Sequence, residues 1–173
     1  MRRFLIYALA LFLSFLLQTA VLPSVLSFTG IRPNALIILI VSFALMRGEQ
    51  TGILLGFFSG LLCDLIFGDY LGFYALIFMF AGFIFGKLCE AFSPDRFYLA
   101  LLLIAAGDAA CGFVSYVLLF LLRARFHFRF YLLHVIVPEA VGTLVAALVL
   151  YPLYFWINKK LTEGEIRRAK KFV

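Results

Sequence analysis

Three carboxylates stand inside apolar stretches of this chain, Asp64, Asp108 and Glu139, with no lysine or arginine in those stretches beside them. An unpaired charge in such surroundings is costly, so each acid needs a helix partner, a bound ligand or an ion path. The bland role is a hydrogen-bonded carboxyl holding neighbouring helices together. Contact with a binding partner and passage of a proton are the sharper ones. Asp64 has the most telling surroundings. Gly48, Gly52, Gly56 and Gly60 precede it at four-residue intervals, and Gly68 and Gly72 continue the spacing. On one helix each four-residue step drifts by only about 40°, which makes a bare stripe with a carboxylate at its end. A second helix can approach such a stripe to backbone contact. Gly52, Gly56, Gly60 and Asp64 are therefore the expected residues of helix packing or partner binding. Gln18, the strong polar group of the first apolar run, joins Asp64, Asp108 and Glu139 as a candidate lining of a polar cavity.

Other chemistries fail on residue type or spacing. Ser14, Ser42, Ser59 and Ser115 lack the histidine-plus-acid company of a hydrolase. His127 and His134 lie seven positions apart with no ligand cluster around them, so no metal site is expected. Cys63, Cys89 and Cys111 are odd in number and form no CxxC pair, which leaves them as small packing residues. The glycines sit within an apolar run, not between a strand and a helix, so they make no phosphate loop. No catalytic residue and no cofactor is expected.

The elements that must position these groups follow from composition. With 65% hydrophobic residues, 22 Phe in 173 positions and a mean hydropathy of +1.10, the chain has too little polar material for a soluble surface. It reads as an all-α, polytopic integral membrane protein with six transmembrane helices in one bundle. The spans are placed at about residues 4–22, 33–46, 51–67, 71–86, 97–122 and 131–157, a single domain over 1–157. Met1-Arg2-Arg3 before an apolar run resembles a signal peptide, but no small-x-small cleavage site stands near Ala20, and the first span is expected to stay. Pro33 to Met46 is so short that a re-entrant segment competes with a full crossing. Charge favours the crossing. Six spans put eleven basic residues inside and four (Arg32, Arg123, Arg125 and Arg129) outside, with both termini cytoplasmic.

Residues 158–173 are expected to form a short basic amphipathic cytoplasmic tail. Six of the fifteen basic residues fall in the last fifteen positions, a pattern suited to anionic lipid and not to nucleic acid. Thr162-Glu163-Gly164-Glu165 fits a capping box that would open a separate helix there.

A family resemblance rests on motifs between Gln18 and Ala75. Gln18 and Pro23 end the first span, Arg32-Pro33-Asn34 opens the second run and Arg47-Gly48 closes it. Gly56-Phe57-Phe58-Ser59-Gly60-Leu61-Leu62-Cys63-Asp64 follows, then Gly68 and Leu71-Gly72-Phe73-Tyr74-Ala75-Leu76. In order and spacing these resemble the MreD family of rod-shape-determining membrane proteins. The resemblance implies a non-enzymatic scaffold of the bacterial elongation machinery in the inner membrane. Its implied direct partner is MreC, and through the complex MreB filaments, RodA and a class B penicillin-binding protein. It also implies a six-helix fold like that of the substrate components of energy-coupling-factor transporters. That likeness supplies the competing expectation of a small-molecule-binding membrane component. On the scaffold reading, the glycine stripe and Asp64 form a groove that receives a segment of MreC.

Overall fold

A computed structural model describes residues 2–21, 33–68, 70–89, 97–123 and 135–169. Among these residues the structure is wholly helical. Helix α1 (Arg2–Leu16) runs on into a π-helical turn, Leu17–Val21. It is followed by α2 (Ala35–Arg47), α3 (Glu49–Phe67), α4 (Phe73–Leu88), α5 (Phe97–Arg123) and α6 (Val137–Ala169).

The short helix α2 is the centre of the bundle. Every residue from Ala35 to Ala44 is 0% exposed, because α2 touches all five other helices. Its sequence, ALIILIVSFALMR, is apolar on all sides, as a helix without a solvent- or lipid-facing side must be. The long helices show the opposite habit, with Leu9 and Phe12 of α1, Leu54 and Phe58 of α3, and Val145 and Val149 of α6 turned outward. Aromatic packing ties the layers together. Phe43 of α2 meets Tyr7 of α1 edge-on at 5.5 Å and Tyr154 of α6 at 5.8 Å.

Among the described residues there are six helices, but not six equal crossings. Four contain a segment long and apolar enough to cross a membrane: Arg3–Ala20, Glu49–Phe67, Phe97–Leu118 and Val137–Gly164. The thirteen residues of α2 and sixteen of α4 reach only about 20 and 24 Å, against a hydrocarbon core of about 30 Å. A helix that short does not cross the hydrocarbon layer by itself, and free backbone groups at any end left inside that layer must be met by protein.

Two local expectations change. Pro33 precedes the second helix instead of opening it. Asn34 is the N-cap, its side chain accepting from the Ile37 N–H at 3.3 Å. At the other end of the chain, Thr162-Glu163-Gly164-Glu165 begins no new helix, because α6 is continuous from Val137 to Ala169. The Thr162 hydroxyl instead bonds back to the Asn158 carbonyl at 3.1 Å, a mid-helix arrangement.

Two glycines serve the turns. Gly48 alone separates α2 from α3 at φ +85°, and Gly72 caps α4 at φ +96°, both in the region that side-chain-bearing residues avoid.

Candidate functional site

The glycine stripe faces α4. A Cβ built on Gly52 would lie 2.3 Å from the Gly82 carbonyl oxygen, on Gly56 2.2 Å from that of Phe78, and on Gly60 2.4 Å from Ala75 Cα. The relation is reciprocal, since a Cβ on Gly82 would meet the Gly52 oxygen at 2.1 Å and one on Gly86 the Glu49 Cα at 2.3 Å. Glycine inside a helix costs about 1 kcal/mol relative to alanine, and here it permits backbone-to-backbone contact along the hairpin. Gly82 and Gly86 repeat the four-residue spacing in the next apolar run, which predicts a close hairpin of the third and fourth helices, and the structure contains it. The groove is thereby filled from within the chain, and a second polypeptide has no access to those three glycines while α4 lies there.

Asp64 completes the same hairpin. It is 3% exposed, and its carboxylate accepts three backbone N–H groups at the start of α4: Gly72 at 3.0 Å, Tyr74 at 2.8 Å and Ala75 at 3.0 Å. The remaining early donor, Phe73 N–H, reaches the Tyr70 carbonyl at 3.4 Å. The first turn of any helix leaves such donors without internal partners, and its positive dipole end favours an anion. Asp64 thus caps a helix other than its own, from the last turn of its hairpin mate.

A second polar cluster stands at the start of α2. The Asn34 N–H donates to Thr143 Oγ1 of α6 at 3.0 Å, and the Leu36 N–H donates to Gln18 Oε1 at 3.1 Å. The Thr143 hydroxyl in turn donates to Asp108 Oδ2 of α5 at 2.7 Å. Four elements converge on one helix end. The π-helical turn Leu17–Val21 carries Gln18, in keeping with the habit of such turns to occur where a side chain must be re-aimed. Thr143 is fully buried and Asp108 is 4% exposed.

Of the four residues expected to line a cavity, the structure gathers Gln18 and Asp108 at the head of α2. Glu139 lies one turn before Thr143 on α6, half-buried. Asp64 belongs to the other cluster. Sequence reasoning missed Thr143 and the capping role of Asn34. Asn34 had a signal, a residue of N-cap type directly before a long apolar run, whereas a lone threonine in an apolar span gives none.

A third polar contact ties the opposite end of α2. Arg47 donates through Nε to Asn158 Oδ1, and through Nη2 to the Asn158 carbonyl at 3.5 Å and the Thr162 hydroxyl at 3.2 Å. Ser14, one of the four isolated serines, shares a 2.7 Å hydrogen bond with the Tyr154 hydroxyl. Cys63 and Cys111 are free and buried, and Cys89 is free and half-buried. Among the described residues no group of three His, Cys, Asp or Glu side chains could hold a metal ion. His127, His134, Arg125, Arg129, Arg32, Pro23 and Asp69 lie outside the described residues.

Helices long enough to cross a membrane, an apolar exterior and polar groups gathered at two buried helix ends define a polytopic helical membrane protein. The chain belongs to the MreD family: the family model described as rod shape-determining protein MreD matches residues 1–161. It is accordingly a rod-shape-determining membrane protein. Comparison with curated proteins and with solved structures returns no match.

Proposed function

We propose that this protein is a non-enzymatic scaffold that binds MreC in the bacterial cytoplasmic membrane and so supports lateral peptidoglycan synthesis. Through MreC it takes its place with MreB filaments, RodA and a class B penicillin-binding protein. Membership of the MreD family over residues 1–161 is the observation that carries this reading. The geometry agrees with it. Asp64, Asp108, Asn34, Gln18 and Thr143 are occupied in bonding helices to one another, as in a rigid platform. With α4 seated on the glycine stripe, the hairpin offers a partner helix its outer side, where Leu54, Phe58 and Leu65 are exposed. On this reading both termini lie in the cytoplasm, where the basic C-terminal segment meets anionic lipid.

Affinity purification of the full chain from native membranes tests the proposal. MreC should co-elute at near-stoichiometric amount. Its absence from intact, correctly inserted protein would remove MreC binding from the account.

A further inference from the structure

Helices α2 and α6 are joined at both ends and along the middle. At one end the Asn34 N–H meets Thr143, which is itself held by Asp108. At the other, Arg47 grips the Asn158 side chain, the Asn158 carbonyl and Thr162. Between them the Phe43 and Tyr154 rings pack at 5.8 Å. The two spacings match. Asn34 to Arg47 corresponds to about 20 Å of helix and Thr143 to Asn158 to about 22 Å, so both clamps close between nearly matched lengths.

Two features make this pair more than ordinary packing. α2 is enclosed on every side, so it has no freedom to yield toward lipid. And α6 does not stop at its clamp, but continues to Ala169 as the same helix. A close-packed, hydrogen-bonded rod transmits displacement instead of absorbing it.

We infer that α2 and α6 form one doubly clamped rod that couples the two ends of the bundle, so that disturbing the Arg47 clamp loosens the Asp108–Thr143–Gln18 cluster about 20 Å away. A load applied to α6 beyond Asn158 is then felt at Asp108. Coupling of this kind needs a physical element biased from both ends, and the enclosed α2 supplies it.

The native cysteines report on this directly. Cys111 is buried on α5, three residues past Asp108, while Cys63 is buried beside Asp64, whose cap on α4 is separate from the rod. The test uses the full chain in membranes, once with Cys63→Ala and Cys89→Ala and once with Cys89→Ala and Cys111→Ala. Labelling by a small maleimide is followed before and after Arg47→Ala. The expected result is that Arg47→Ala speeds Cys111 labelling at least about fivefold while leaving Cys63 labelling within about twofold. An unchanged Cys111 rate overturns the inference, because the clamps are then independent. An equal rise at Cys63 also overturns it, because the bundle has then loosened throughout. If Arg47→Ala fails to insert, Thr162→Val removes one acceptor of the same clamp and is held to the same outcomes.

Discussion

Two buried acids in this protein serve two helix beginnings by different routes. Asp64 reaches across a hairpin and takes three backbone donors of α4 itself. Asp108 reaches α2 through an intermediary, holding Thr143, which takes the Asn34 N–H, while Gln18 takes a donor of its own. In both cases first-turn donors that the helix itself cannot satisfy find their partners in protein. The contrast lies in sequence distance. Asp64 is eight to eleven residues from its donors, whereas Thr143 is 109 residues from Asn34. The first cap belongs to one folding unit, and the second exists only once α1, α2, α5 and α6 have assembled.

The hairpin should therefore be the less forgiving of the two. Gly56→Ala places a Cβ 2.2 Å from the backbone oxygen of Phe78, and backbone cannot rotate away as a side chain can. The expected loss is about 3 kcal/mol or more, read as a large fall in thermal stability in detergent. A mild effect would mean that α3 and α4 are not in backbone contact at this point. Asp64→Ala comes next. It leaves the buried Ala75 donor and the part-buried Gly72 and Tyr74 donors without an acceptor, at an expected total of about 2–3 kcal/mol. Asp64→Asn, which keeps one carbonyl oxygen, should recover part of the loss in the same melt.

At the other cap the effects should be smaller and shared. Thr143→Val removes both the acceptor for Asn34 N–H and the donor to Asp108, at an expected cost of about 2 kcal/mol. Asp108→Asn can still accept from Thr143, and about 1 kcal/mol is expected. Because both residues sit in one network, the double variant should cost less than the two single losses together. Strict additivity in the melting data would show that Asp108 and Thr143 act separately, and the contrast between a direct and a relayed cap would go.

This division also explains what could be read from the chain alone. Gly52, Gly56, Gly60 and Asp64 repeat at the helix period, so the close hairpin was legible, because packing that depends on missing side chains leaves a periodic mark. The stripe alone names no occupant for its groove, but Gly82 and Gly86 repeat the spacing in the next apolar run and point to it. Its occupant is the next helix of this chain, with Gly82 and Gly86 as the answering residues. The second cluster left almost no trace. Gln18, Asp108 and Glu139 stood out as polar residues in apolar runs, yet Thr143 did not, since its place follows from tertiary assembly and not from local pattern. The apparent capping box at Thr162 misled for a related reason. Its residue types are right, but α6 enters already helical and Arg47 engages the Thr162 hydroxyl from outside.

That last point yields the smallest prediction and a sharp comparison with Gly56. Gly164 is helical, has no positive φ, and a Cβ added there would meet nothing within 4 Å. In an uninterrupted helix interior, Gly164→Ala should stabilise by about 0.5–1 kcal/mol, since alanine restricts the unfolded chain and fills no occupied space. Were a separate helix to begin at Thr162, Gly164 would fall in its first turn, where glycine is tolerated and the gain would shrink toward zero. One substitution, glycine to alanine, is thus expected to have opposite signs at Gly56 and Gly164. The sign at Gly56 reports a backbone pressed against backbone, and the sign at Gly164 reports α6 extending unbroken beyond the Arg47 clamp.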